Sequence, residues 1–254
     1  MPDPYELMPE PLRPELPGKV RVLSTADDAI DAVAADLLVH AKNCVRSFGD
    51  FHAALSGARP LEAVYRRLMY DPGLRDLPWK QTHLWMAEEE RTSAVLPRFR
   101  VVADWLQEHS DIPEEQVHAI EVGTSGFADA YRRQLEAALA FRGNGHDRLD
   151  FVLVAVEPGG FAFVKSRPAE AATLLNEVEL PEGPRVVLSR QALAASRFIG
   201  VVAFGRESGD VLRRERREDI EALLPLAGDL HWYLDDEAAK ACLEDGSHEN
   251  GSDS

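Results

Sequence analysis

The chain has 254 residues, 45% of them hydrophobic and 28% charged, with 44 acidic against 28 basic side chains and a formal net charge of −16. That is a globular balance. Its sign argues against nucleic acid or an anionic membrane as partner, because phosphate surfaces are met by clustered Lys and Arg.

No apolar run approaches the roughly 20 residues that span a bilayer. The acidic, proline-rich stretch 1–17 reads as an extended arm rather than a signal or transit peptide, and a cytoplasmic setting is expected. Cys44 and Cys242 stand at no metal-like spacing, so both are expected to be free thiols of a reducing compartment. Cys44 is expected in a helix-to-strand connection.

In chain order, KVRVL at 19–23 predicts a strand, and 25–43 predicts a helix with Thr25 as N-cap and Asp27 and Asp28 in its first turn. FHAAL at 51–55 predicts a strand that exits into Ser56-Gly57-Ala58-Arg59-Pro60, followed by a helix over 61–70. THLWMA at 82–87 predicts a strand, 95–108 a helix, and 128–142 an amphipathic helix. DFVLVAV at 150–156 is nearly all apolar, as a strand buried on both faces must be. Strands are expected at 185–188, 198–204 and 231–234, and helices at 190–196 and 209–222.

The basic run Arg213, Arg214, Arg216 and Arg217 alternates with Glu215, Glu218 and Asp219, the pattern of a solvated helix face with its own ion pairs. The tail 244–254 is acidic and Ser/Gly-rich and is expected to be disordered. Strands alternating with helices predict a three-layer α/β/α fold, an open and mostly parallel Rossmann-like sheet, as one domain over 18–243. In such sheets ligands bind beyond the carboxyl ends of the strands, which directs attention to 56–60, 87–91, 157–161 and 204–208.

Four segments in order resemble the 6-phosphogluconolactonase family, part of the glucosamine-6-phosphate isomerase/6-phosphogluconolactonase superfamily. AALSGARPLEAVYRRL at 53–68 is similar to the family's strand, Ser-Gly-Gly-x-Thr-Pro loop and helix. The strand 82–87 with the glutamates after it resembles the approach to an Asp-Glu-Arg motif. LDFVLVAVEPGGFAF at 149–163 resembles the strand into Gly-x-Gly-x-Asp-Gly-His. PRVVLSRQALAASRFIGVVAFG at 184–205 resembles the Arg-Ile-Thr-Leu-Thr segment and its following strand, and LHWYLDDEAA at 230–239 is similar to the family's closing pattern.

The resemblance implies a lactonase in which the histidine of the third motif takes a proton from water. Here Phe161 stands at that position, Gly159 at the aspartate, and Ala155 and Glu157 at the two early glycines, with Pro158 and Gly160 matching. The phosphate loop is one residue short, with Ala58 for a glycine and Arg59 for the threonine. Ser56 and Gly57 keep donors for an anion, and Arg59 would add a charge-assisted one. Glu88-Glu89-Glu90-Arg91 replaces Asp-Glu-Arg, Pro97 and Arg98 stand near a Ser-Asn pair, and Ser208 stands near a lysine. Arg185 matches the family arginine.

Two functions remain open. In the first the lactonase step is lost and the chain serves as a ligand-binding or interaction module for a sugar phosphate or lactone. In the second it is an active sugar-phosphate lactonase or hydrolase of the pentose phosphate pathway type, with Glu157 as base. Glu157 is expected to share a crevice with one or more of Glu88, Glu89 and Glu90, where one acid would have a raised pKa or the group would bind a hard cation. The ligand-binding expectation rests on Ser56, Gly57, Arg59 and Arg185. No cofactor and no metal site is implied, and the sequence names no protein partner.

Overall fold

Short apolar runs become the buried centre of a parallel sheet. β2 (Phe51–Leu55), β6 (Phe151–Ala155) and β9 (Phe198–Ala203) are buried along their whole length. They lie in a seven-stranded, all-parallel sheet with β1 (Lys19–Leu23), β3 (Thr82–Met86), β5 (Val117–His118) and β10 (Asp229–Asp235), in the order β1-β10-β9-β6-β2-β3-β5. The computed structural model of the chain describes residues 12–92, 96–143, 145–166 and 173–244. Most of the expected arm and the tail from 245 onward lie outside them.

Helices α1 (Ala26–Phe48) and α2 (Arg59–Tyr70) make connections toward the β5 edge. α4 (Phe127–Leu139) and α7 (Gly205–Arg214) make them toward the β1 edge. Right-handed crossovers therefore put the two pairs on opposite faces. Thr25 caps α1 as expected, accepting the Asp28 N–H at 3.1 Å. At the opposite end of the chain, α9 (Asp236–Leu243) packs on α7.

From β2 the chain moves toward β3, and from β6 it moves the other way, toward β9. The adjacent pair β2 and β6 is therefore the topological switch point, and the crevice outside their carboxyl ends is the expected binding place.

The structure corrects several expectations. Residues 185–188 fall in β8 (Gly183–Leu188), which lies outside the parallel sheet. With β4 (Glu88–Glu90) and β7 (Leu175–Leu180) it builds a second, antiparallel sheet in the order β4-β8-β7. The cause is local: Pro181 and Glu182 close a tight hairpin between β7 and β8, and the chain passes from β3 into β4 through Ala87. The Ala87 N–H still bonds Leu55 in the large sheet, while its carbonyl accepts from Leu188 in the small one.

Cys44 lies inside α1 rather than in a connection, because the helix continues five residues past 43. Burial pushes its thiol up to about 12. The helix expected over 209–222 starts earlier and breaks into α7 and α8 (Arg217–Glu221), with Glu215 and Arg216 extended between them. Intrahelical pairs do form, Arg213 with Asp210 and Arg217 with Glu221, but of the acids interleaved with the run Glu215 pairs with Lys165 and Asp219 with Arg190. The helix expected over 95–108 is α3 (Pro97–Val102) followed by a wider π turn over 103–107; position 95 lies outside the described residues. Both cysteines are free, and among the described residues no helix is long and apolar enough to cross a membrane.

Candidate ligand crevice at the switch point

Three strand exits converge here: Ser56 after β2, Glu88 after β3 and Glu157 after β6. Ser56 is fully buried and held on every side. Its N–H bonds Leu153 O at 2.9 Å, its carbonyl accepts from Tyr65, and its hydroxyl donates to Glu88 while accepting the Ala58 N–H at 3.1 Å. The amides of Ser56 and Ala58 are thus committed within the protein, which leaves the loop fewer donors than a phosphate cradle uses. Gly57 is glycine for a steric reason. A Cβ there would stand 2.1 Å from the carbonyl oxygen of Arg98, so the start of α3 presses directly on the loop.

Sequence reasoning named Arg98 only as an odd occupant of a family position. The structure brings it to the centre. Its Nη1 donates to Glu157 Oε2 at 2.9 Å and reaches Glu88 Oε1 at 3.4 Å. Arg185, on β8 opposite Glu90, donates to Glu157 Oε2 at 2.8 Å and to Glu88 Oε2 at 3.1 Å. Two arginines and two glutamates therefore form a closed, charge-balanced floor. Burial works against the Arg98 charge, but Glu88, Glu157 and Glu90 outweigh it and hold the guanidinium above its ordinary range.

The acids do share the crevice region, as expected, but they meet through the guanidiniums rather than as a carboxylate dyad. Glu89 has another task. It accepts the backbone N–H groups of Glu90 at 2.8 Å, Arg98 at 3.2 Å and Phe99 at 2.8 Å, capping α3 with a carboxylate that burial pushes upward in pKa. These bonds help hold the turn at Leu96, the one non-glycine residue with positive φ (47°) among the described residues.

Above this floor lies a cavity of about 320 Å³ lined by Gly57, Arg59, Glu62, Glu90, Pro97, Arg98, Val101 and Glu157. Arg59 is exposed at the mouth and has no ion pair among the described residues. The Glu157 side chain retains 17% of its exposure.

Phe161 is not among the lining residues. The turn before it doubles back: Glu157 and Gly160 exchange backbone bonds at 3.3 and 2.9 Å, with Gly160 at φ 140°, a conformation open mainly to glycine. Phe161 then enters the core, fully buried, with its ring 6.2 Å from Trp232 and 6.1 Å from Phe163. Ser208 is buried as well and donates to Val156 O at 3.0 Å.

A second polar cluster occupies the opposite, amino-terminal edge of the sheet. Arg142 donates to Asp50 and Asp150, and Asp150 also accepts from Arg197 and from the His52 backbone. His52 stacks on His83 with centroids 4.4 Å apart, and His83 Nδ1 lies 3.3 Å from His118 Nε2. Asp50, His52 and His83 approach metal-ligand spacing. However, Trp85 donates to Nδ1 of His52 at 3.1 Å, so Nε2 holds the ring proton that donates to Asp50 at 2.9 Å. A cation at Nε2 would have to displace it.

The class defined by this geometry is an open-sheet α/β protein with a charged crevice at its switch point. The chain belongs to the glucosamine-6-phosphate isomerase/6-phosphogluconolactonase family, whose pattern matches residues 24–229. It is 26% identical to the GDH/6PGL endoplasmic bifunctional protein of Oryctolagus cuniculus over 92% of this chain, and it spans about a third (33%) of that protein's length. It is 22% identical to a 6-phosphogluconolactonase of Aggregatibacter actinomycetemcomitans, over 85% of this chain and 96% of the relative.

Among solved structures, 6-phosphogluconolactonase from Trypanosoma cruzi superposes with a TM-score of 0.70 at 17% identity, covering 91% of this chain and 99% of that one. The Thermotoga maritima 6-phosphogluconolactonase gives 0.68 at 18%, covering 85% and 99%. The shared fold is the three-layer one.

Proposed function

We propose that this chain has lost lactone hydrolysis and keeps its switch-point crevice as a binding site for a small ligand. Phe161 carries the reading. Where the family resemblance implies the base, a phenyl ring is buried in the core, away from the crevice. General bases contribute roughly 10²- to 10⁴-fold to such reactions, and among the described residues no histidine lines the cavity to replace it.

The charges support the same reading. Arg98 and Arg185 are matched by Glu88 and Glu157, while Glu62 and Glu90 also face the space. A phosphate within about 4 Å of one unpaired carboxylate, at an effective dielectric near 20, is opposed by roughly 4 kcal/mol for each pair of unit charges. The free thiols Cys44 and Cys242 suit the cytoplasmic setting we propose for it.

One observation favours a second reading: Glu157 does line the crevice and keeps some exposure. Against it, Oε2 already accepts from two guanidiniums. The test is hydrolysis of freshly prepared 6-phosphogluconolactone by the purified chain and by Glu157→Gln. Rates equal to buffer for both are expected. A rate above buffer that disappears in Glu157→Gln would establish the second reading instead.

A further inference from the structure

Both arginines of the crevice floor lie nearer the exposed acid than the buried one. Arg98 Nη1 donates to Glu157 Oε2 at 2.9 Å and reaches Glu88 Oε1 only at 3.4 Å. Arg185 Nη1 donates to the same Glu157 oxygen at 2.8 Å and to Glu88 Oε2 at 3.1 Å. The Glu88 side chain is sealed in at 1% exposure, whereas that of Glu157 keeps 17% and lines the cavity. The Glu157 carboxylate is thus the layer between the two guanidiniums and the space above them.

Guanidinium N–H groups converging on an oxygen at this range are how proteins hold the carboxylate or phosphoryl group of a ligand. Here the oxygen belongs to the chain itself. Its backbone is anchored on both sides, by Val156 N–H on Val202 O at 2.8 Å and by Gly160 N–H on Glu157 O at 2.9 Å. Without Glu157 the floor would set Arg98 and Arg185 against Glu88 alone, two positive charges against one negative. Glu90 compensates little, since its carboxylate stands 4.0 Å from Arg98 Nε and is 46% exposed.

We propose that Glu157 plugs an anion seat made by Arg98 and Arg185, and so bars ligands carrying a carboxylate or phosphoryl group from the floor of the crevice. This rests on the reading above that the crevice binds ligands, and adds the class that it turns away. The seat opens when the plug is removed.

The experiment is calorimetric titration and phosphorus NMR on the full chain, with inorganic phosphate and acetate as probes and ionic strength held constant with sodium chloride. Glu157→Ala should bind phosphate or acetate at least tenfold more tightly than the natural chain, about the effect of one hydrogen bond to a charged group. Glu157→Gln keeps an oxygen in the seat, and Glu62→Ala removes a wall charge without opening it, so neither should gain. Which anion binds distinguishes a phosphoryl seat from a carboxylate one. Because losing one partner of a buried ion pair destabilises, urea unfolding is the second readout. Added anion should raise the midpoint of Glu157→Ala by more than that of the natural chain.

Equal affinity in the natural chain and Glu157→Ala would overturn the proposal. So would a destabilised Glu157→Ala that neither anion restores, since the carboxylate would then be a structural ion-pair partner only. An equal gain in Glu62→Ala would also overturn it, by showing general repulsion from the wall acids. These outcomes are separate from the lactonase assay. Turnover of 6-phosphogluconolactone by the natural chain would defeat the proposed function whatever Glu157→Ala binds, and failure of that variant to take an anion would leave the hydrolysis test unaffected.

Discussion

Acid should loosen this protein through two histidines that were placed far from the crevice. Burial, reinforced by the neighbouring His52, lowers His83 to about 4, and burial with His83 beside it lowers His118 to about 4, from an ordinary 6.5. In the unfolded chain both rings take up protons as pH falls through 6.5, whereas in the folded chain they resist until about 4. The unfolded state therefore binds more protons across that window, and stability is full above about pH 6.5 and declines toward pH 4.

A shift of about 2.5 units corresponds to about 3.4 kcal/mol for one fully shielded ring. Both rings retain partial solvent contact, which screens the effect, and about 2–4 kcal/mol for the pair is the expected loss. The assay is urea unfolding at pH 7, 6, 5 and 4.5, comparing the natural chain with His83→Phe/His118→Phe, whose rings preserve the stack. The double variant should lose much less stability over this range. Identical pH dependence in the two proteins would refute the reasoning, since Asp36, held down at about 2, changes charge only at lower pH.

Other outcomes follow from the packing. Arg142→Met removes a buried guanidinium from Asp50 and Asp150 and should cost about 3–5 kcal/mol; a loss below about 1 kcal/mol in urea unfolding would show that Arg197 suffices for Asp150. Gly57→Ala drives a Cβ to within 2.1 Å of the Arg98 carbonyl and should cost about 1–3 kcal/mol, with an altered crevice readable from the NMR shifts of Arg98. Phe161→His should not restore lactone hydrolysis, because that position faces Trp232 rather than the cavity. It should instead destabilise by roughly 1–3 kcal/mol by burying a polar ring. Recovery of turnover would place the ring in the crevice after all.

The parallel sheet was legible because its signals are local. Fully apolar runs such as 151–155 and the cap at Thr25 announce strands and helices within a few residues of their true ends. β4 and β5 were not legible, being three and two residues long and specified by pairing partners far along the chain. β7 owes its place to the hairpin with β8, which a reading focused on parallel strands misses.

The same limit governs the site. Ser56, Arg185 and Glu157 were found because family motifs point to them. Arg98 was recognised only as a mismatch, since nothing nearby in sequence shows that Glu88 and Glu157, 10 and 59 residues away (98 − 88 and 157 − 98), will bracket its guanidinium. The one local hint is an arginine directly after the helix-starting Pro97, in a chain that has just placed three glutamates in a row. The role of Glu89 as a helix cap was likewise hidden, because its carboxylate sits eight residues before the helix it closes.

The most direct test of the proposal that lactone hydrolysis has been lost is a pH-stat record of acid release from freshly prepared 6-phosphogluconolactone at increasing concentrations of the purified chain. The account predicts a rate that stays at the buffer value however much protein is added. A rate that rises in proportion to protein would contradict it and would make this chain a lactonase working without the family histidine.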